Sequence, residues 1–119
     1  MSKKLKWHKI ADTLSELNIS NERLAEWEVN GKKVCLALFK DTLFSFSAKC
    51  PHAGGNLGCG YLDATGNIVC PLHGYKFNIQ SGRNRSGEGY HLKTYPIESR
   101  LDGIFIGFEE NNSEILNNN

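Results

Sequence analysis

Two short segments of this chain combine cysteine with histidine at close spacing. Residues 50–52 read Cys-Pro-His and residues 70–73 read Cys-Pro-Leu-His, with 17 residues between the two segments. A thiolate and an imidazole one or two residues apart on a tight loop can face the same metal core, and two such loops supply four ligands. The spacing therefore predicts a metal centre built from Cys50, His52, Cys70 and His73.

The residues around these segments suit a bulky inorganic group. Gly54, Gly55 and Gly74 leave room for the backbone to pass close to such a group, which a side chain would obstruct. A proline follows each cysteine and stiffens the loop. Amide N–H groups in loops of this kind can point at sulfur atoms.

The full pattern resembles the signature of Rieske iron–sulfur proteins. The likeness covers about residues 50–83 and includes the run Cys-Pro-Leu-His-Gly-Tyr-Lys-Phe-Asn at residues 70–78. The resemblance implies one [2Fe-2S] cluster in which Cys50 and Cys70 hold one iron and His52 and His73 the other. Two neutral imidazoles in place of two thiolates make the cluster less negative and easier to reduce than an all-cysteine cluster.

The sequence departs from one branch of that family, the Rieske proteins of cytochrome bc-type complexes. Gly55 and Leu72 stand where that branch has two further cysteines, so its disulfide cannot form here. Tyr75 and Phe77 stand where it has a serine and a tyrosine that donate hydrogen bonds towards sulfur. Fewer donors predict a reduction potential near the low end of the Rieske range, about −150 mV.

Other readings of the cysteines and histidines remain open at this point. Structural zinc also binds two cysteines and two histidines, although zinc fingers favour like pairs rather than mixed ones. Cys59 lies near the first segment and is interpreted as an ordinary reduced cysteine, and Cys35 as a small core residue. His8 and His91 have no neighbouring cysteine, and we assign them no metal role.

The flanking sequence is typical of short strands joined by turns. Asn-Gly at residues 30–31 is a strong hairpin signal between Leu24–Val29 and an apolar run at residues 34–39. Further strands are predicted at residues 42–47, 67–69 and 77–79, and a strand pair at residues 92–97 and 104–108 across the turn 101–103. A helical turn is expected within residues 12–21.

These patterns predict an all-β fold, and the resemblance implies a Rieske-like antiparallel β-sandwich with a small cluster-binding subdomain formed by two loops. We expect a single domain over residues 1–112, with the cluster-binding part at about residues 48–83. Residues 113–119 are polar and Asn-rich, which is typical of a disordered tail.

Composition excludes several classes of function. The chain has 119 residues with 14 Lys and Arg against 13 Asp and Glu, so no strongly basic character favours nucleic-acid binding. No secretory signal follows the basic N-terminus, and the longest apolar run is too short to span a bilayer. We therefore expect a cytoplasmic protein with no nucleic-acid or membrane partner.

The resemblance implies a soluble Rieske-type ferredoxin that carries single electrons from a flavin-dependent reductase to a terminal oxygenase. No dinucleotide-binding glycine pattern is visible and the length leaves no room for a second catalytic domain, so we expect an electron-transfer component rather than an enzyme by itself. The alternative is a Rieske-like small subunit of a larger redox enzyme, such as an assimilatory nitrite reductase. A cluster-based sensor with no fixed electron acceptor is a third possibility.

Overall fold

A computed structural model describes residues 4–52, 54–87 and 89–110. Within them the chain forms ten strands and two short 3₁₀ helices. The strands are β1 (Leu5–Ala11), β2 (Leu24–Val29), β3 (Lys32–Phe39), β4 (Thr42–Ser47), β5 (Tyr61–Leu62), β6 (Asn67–Val69), β7 (Lys76–Asn78), β8 (Thr94–Tyr95), β9 (Ile97–Arg100) and β10 (Gly103–Glu109). The 3₁₀ helices span Leu14–Leu17 and Leu57–Cys59. The predicted tail at residues 113–119 lies outside the described residues.

The strands form three antiparallel sheets, with strand orders β1-β10-β9, β2-β3-β4-β8 and β5-β6-β7. This confirms the predicted all-β, antiparallel fold class. The four-stranded sheet is the middle layer, because alternate side chains of β3 enter different cores. Cys35 and Ala37 pack in the core shared with the third sheet, whereas Leu36 packs with Ile104 of the first sheet. A strand buried on both faces explains the continuous apolar run in β3.

The hairpin between β2 and β3 follows from its two turn residues. Asn30 and Gly31 both have positive φ, at 51° and 81°, which is the conformation that a two-residue hairpin turn requires. Val29 pairs with Lys32 directly across this turn. The predicted hairpin is confirmed, and its second strand begins two residues earlier than the apolar pattern indicated.

The predicted strand pair at residues 92–97 and 104–108 is wrong in its first half. Leu92 is a buried core residue outside any strand, and β8 pairs with β4 of the middle sheet. The partner of β10 in the hairpin is β9, across the turn at residues 101–102. Pro96 separates β8 from β9, because a residue without an amide hydrogen interrupts strand pairing. The sequence reasoning also missed β1, which pairs along most of β10.

The third sheet carries one of the two Cys/His segments and lies against the other. Asp63 opens the turn before β6, where its carboxylate accepts hydrogen bonds from the amides of Thr65 and Asn67, each at 3.0 Å. Strand β6 then runs directly into Cys70, and β7 leaves the far side of the same loop. The predicted strand at residues 67–69 is confirmed, and the one predicted at residues 77–79 lies one residue earlier.

The predicted helical turn within residues 12–21 is present as the 3₁₀ helix at Leu14–Leu17. Leu17 is fully buried and its carbonyl accepts a hydrogen bond from Trp27 Nε1 at 2.9 Å. Among the described residues, no helix has the length and apolar character needed to cross a membrane.

Candidate metal centre

Both Cys/His segments are six-residue tips of antiparallel pairs. Loop 1 (residues 50–55) is closed by a bridge between Lys49 and Asn56, and loop 2 (residues 70–75) is closed by the pairing of Val69 with Lys76. The near-duplicate sequences thus occupy equivalent positions in two hairpin ends.

The backbone hydrogen bonds of the two loops are also equivalent. In loop 1 the Cys50 amide donates to the Gly55 carbonyl at 2.8 Å, and the Gly54 amide donates to the Cys50 carbonyl at 2.9 Å. In loop 2, Cys70 donates to Tyr75 and Gly74 donates to Cys70, at the same two distances.

The fourth residue after each cysteine must adopt a left-handed conformation. Gly54 has φ of 72° and Gly74 has φ of 71°. This conformation costs an L-residue with a side chain roughly 1–2 kcal/mol. The two glycines therefore allow the same tight turn in both loops.

The two loop cysteines come together in the interior. Cys50 and Cys70 are each 1% exposed, and their thiols are in hydrogen-bonding contact. Burial raises the pKa of the Cys70 thiol, and the neighbouring Cys50 raises it further. The backbone amides of Leu72 and His73 donate to the Cys70 sulfur and act in the opposite direction, because they stabilise a thiolate.

The two loop histidines come together nearer the surface. The rings of His52 and His73 are 5.2 Å apart between centroids and meet edge to face at 75°. His73 is exposed and His52 is partly buried. Nδ1 of His52 is itself buried and has no hydrogen-bond partner among the described residues. A buried ring nitrogen without a partner is costly unless something else, such as a metal ion, binds it.

Loop 1 and loop 2 are in close contact through Gly55. A Cβ built on Gly55 would lie 2.9 Å from Leu72 Cδ1 and 3.2 Å from Cys70 Sγ. A larger residue at position 55 would therefore displace the exposed Leu72 side chain and crowd the Cys70 sulfur.

An aromatic group around His52 was missed by the sequence reasoning. The Tyr75 ring stacks on the His52 ring at 3.9 Å with an interplanar angle of 7°. Tyr90 meets the edge of His52 at 5.0 Å and is 46% exposed. The sequence signal for Tyr75 was present, since it directly follows the His-Gly of loop 2, but Tyr90 is 15 residues further along the chain.

The remaining cysteines and histidines lie apart from this pairing. Cys35 is fully buried in β3, and burial raises the pKa of its thiol to about 12. Cys59 is exposed and carries a free thiol. The ring of His8 packs on Phe108 at 5.2 Å, and His91 lines a cleft beside loop 1.

The four loop side chains offer a pair of buried sulfurs and a pair of imidazoles. In residues 4–52, 54–87 and 89–110, no group of three or more His, Cys, Asp and Glu side chains is arranged to hold a single metal ion. The donor set is nevertheless the one that a mixed-ligand [2Fe-2S] centre needs, with two sulfurs and two imidazole nitrogens. The close-packed glycine at position 55 and the unpartnered His52 nitrogen fit the same group.

Comparison with known proteins gives the family. Residues 6–96 match the model of the Rieske [2Fe-2S] domain. The 3-phenylpropionate/cinnamic acid dioxygenase ferredoxin subunit of Photorhabdus laumondii is 26% identical over 82% of this chain and 91% of its own length. Cholesterol 7-desaturase nvd of Drosophila melanogaster is 34% identical over 64% of this chain, which spans only 19% of that much longer protein.

A solved structure shows the same fold. The ferredoxin of carbazole 1,9a-dioxygenase from Nocardioides aromaticivorans IC177 superposes with a TM-score of 0.72 at 22% identity, covering 85% of this chain and 96% of that one. The family match covers more than half of the sequence, and the fold agrees with it. This chain therefore belongs to the Rieske [2Fe-2S] domain family, whose cofactor is one [2Fe-2S] cluster.

Proposed function

We propose that this chain is a cytoplasmic Rieske-type ferredoxin that carries single electrons from a flavin-dependent reductase to a terminal oxygenase. Cys50 and Cys70 would hold one iron of the cluster, and His52 and His73 the other. When bound, the cluster supplies a centre that accepts and releases one electron. The observation that carries the proposal is the pairing of two buried thiols with two imidazoles, one of them exposed, at the same end of the fold.

The side chains of this site divide into two roles. The buried thiols, with the amides of Leu72 and His73 donating to Cys70, form an inner side protected from water. The exposed His73 ring lies at the surface, where a docked protein can approach it. A carrier needs both, because the centre must be stable between partners and accessible to each of them.

The size of the matched relative supports a carrier. The Photorhabdus relative is a ferredoxin subunit, and this chain aligns with nearly all of it. We further propose one domain over residues 1–112, with the cluster-binding part at residues 48–83. In support, Ile68 and Phe77 of the third sheet share a core with Ala37 and Phe46 of the middle sheet.

Electron paramagnetic resonance on the purified protein is the first test. Reduction with dithionite should give one rhombic signal for each pair of irons, and a colourless, EPR-silent protein that contains zinc would overturn the proposal. The second test is stopped-flow reduction by a flavin-dependent reductase followed by oxidation by an oxygenase. Recovery from the native source in a stable stoichiometric complex with a larger reductase would instead support the small-subunit alternative.

The reduction potential provides a separate check. Phe77 has no hydroxyl and is fully buried, and the Tyr75 ring stacks on His52. With few hydroxyl donors near the sulfurs we expect a midpoint potential of about −150 mV by cyclic voltammetry near neutral pH. A clearly positive potential would contradict this expectation.

A further inference from the structure

Two open clefts beside loop 1 join into one groove. The first has a volume of about 490 Å³ and is lined by residues that include Lys32, Lys33 and Lys49. The second has a volume of about 520 Å³ and is lined by residues that include Lys49, His52 and Lys93. Both clefts share Ser47, Lys49 and Gly54 as walls. We call their union the lysine groove.

The lysine groove carries an excess of positive charge. Four lysines and one glutamate, Glu26, line it, an excess of three positive charges, whereas the whole chain has a net charge of only +1. The rest of the surface must therefore be net negative. A charge asymmetry of this size orients an approaching charged partner before contact.

Neighbouring acids offset only part of this charge. Lys93 Nζ lies 3.7 Å from a carboxylate oxygen of Glu109, and Glu28 is the cross-strand partner of Lys33. Lys32 Nζ lies over the ring of Phe108 at 4.8 Å and keeps its charge. Lys49 lies at the centre, where both clefts meet.

The groove leads to the candidate metal centre. Its second half is walled by Cys50, Pro51 and His52 of loop 1. A segment seated along the groove would therefore place the rest of its protein over the His52 and His73 edge, where electron transfer requires close approach.

We propose that the lysine groove docks an acidic surface segment of the redox partner, with partner carboxylates beside Lys33 and Lys49. This inference rests on the proposed function and adds the charge of the partner's docking face to it. Lysine ammonium groups attract carboxylates, and rim charges of this kind govern association rate more than final affinity.

The test uses the intact protein with its cluster and needs no identified partner. The reduced protein is mixed in a stopped-flow instrument with ferricyanide, a trianion, or with tris(phenanthroline)cobalt(III), a trication. Each oxidant takes one electron and no bond is made. Raising the ionic strength from about 20 to about 500 mM should slow the ferricyanide reaction about tenfold and accelerate the cobalt reaction.

Charge-reversal variants test whether the lysine groove causes the dependence of the oxidation rates on ionic strength. Lys33→Glu combined with Lys49→Glu should slow oxidation by ferricyanide about tenfold at low salt and speed oxidation by the cobalt complex. Arg23→Glu combined with Lys40→Glu is the control matched in charge, since both residues are exposed and lie at the opposite end of the β2–β3 hairpin from Lys32. It should change either rate less than about twofold. Equal effects of the double variant and the control would overturn the inference.

A binding measurement separates a protein segment from a small anion. Fluorescence anisotropy with a labelled hexaglutamate peptide should show binding to the oxidised protein that weakens about tenfold in the double lysine variant and is retained in the Arg23→Glu, Lys40→Glu control. Complete displacement of the peptide by an equal concentration of inorganic phosphate would overturn the inference in favour of a small-anion site. A protein that forms no cluster and reduces neither oxidant would refute the proposed function itself, whereas salt-independent oxidation by both would refute only the groove.

Discussion

Loop 1 and loop 2 share two backbone hydrogen bonds and one glycine conformation but present their histidines differently. Each is a six-residue hairpin tip with a glycine of φ near 70° at its fifth position and the same two backbone hydrogen bonds. The histidine is two residues after the cysteine in loop 1 and three after it in loop 2. His52 is partly buried under Tyr75, whereas His73 is exposed.

In this comparison the loop backbone determines where the cysteines lie, and the surrounding side chains determine how exposed each histidine is. The repeated hairpin places the two cysteines equivalently, so both are buried and in contact. The surroundings then make the two histidines unequal, since the Tyr75 ring covers His52 alone. A carrier would benefit from this inequality, because one proposed ligand would be held by packing while the other would face a partner.

The largest expected effect tests the equivalence of the two cysteines. Cys50→Ser and Cys70→Ser should each abolish cluster assembly, because a serine oxygen is a much poorer iron ligand than a thiolate. Iron and sulfide analysis, together with the visible spectrum, measures this. Cys59→Ser is the matched control, since Cys59 is an exposed free cysteine close to loop 1 in sequence, and it should retain full cluster content. Retention of a normal cluster by either loop variant would show that the ligand assignment is wrong.

The next effect concerns the contact between the loops. Gly55→Ala should lower the free energy of unfolding by about 1 kcal/mol, because the new methyl group would displace the Leu72 side chain and crowd the Cys70 sulfur. Urea unfolding followed by circular dichroism measures the change.

The control for this effect is a double-mutant cycle. In a Leu72→Ala background the same Gly55→Ala change should cost clearly less, since its nearest obstacle, the exposed Leu72 side chain, is gone. If the two substitutions lower the free energy of unfolding additively, residues 55 and 72 do not form the contact between loop 1 and loop 2.

Much of this molecule could be predicted from sequence because its signals are local. The Asn-Gly hairpin, the strand before Cys70 and the glycines of the two loops each depend on neighbouring residues. The four candidate ligands were predicted from the repetition of two short segments, which is also local information, whereas the pairing of Cys50 with Cys70 was implied by the family resemblance.

The features that were missed depend on long-range packing. Strand β1 is defined by its pairing with β10, nearly the length of the described chain away. Residues 92–97 look like one strand until Pro96 divides them between two sheets. Tyr90 contacts His52 only because the chain folds back after loop 2. The hydrophobic periodicity of the sequence does not predict a contact between residues so far apart in the chain.

The third effect tests the inequality of the histidines. Tyr75→Leu should lower the free energy of unfolding by about 1.5 kcal/mol through loss of the stack on His52, and it should alter the rhombic EPR signal because His52 loses its packing. Tyr75→Phe keeps the ring and is the control, with both properties near those of the parent. If Tyr75→Leu and Tyr75→Phe behave alike, the stack has no role in holding the ligand.

The smallest effect concerns the turn that precedes loop 2. Partial burial acts to raise the pKa of Asp63, but the hydrogen bonds that its carboxylate accepts from Asn67 and Thr65 outweigh this and hold the pKa at about 2, below the ordinary 3.8. A group with a lowered pKa in the folded state stabilises the fold fully above its unfolded pKa, and this contribution is lost as the pH falls from about 4 to about 2.

Removing the Asp63 charge by mutation should lower the free energy of unfolding as protonation of this carboxylate at low pH does. Asp63→Asn should lower the free energy of unfolding by about 1 kcal/mol or less at pH 7, and the difference from the parent should shrink as the pH falls below about 4 and be small at about pH 2, where the Asp63 carboxylate is half protonated in the folded protein. Urea unfolding at a series of pH values measures this, with Asp102→Asn in the exposed β9–β10 turn as the control. Loop 1 follows β4 through residues 48–49 without such a turn, so only loop 2 is expected to depend on a charged turn residue. If Asp63→Asn lowers the free energy of unfolding equally at every pH, the charge of Asp63 does not stabilise the turn before loop 2.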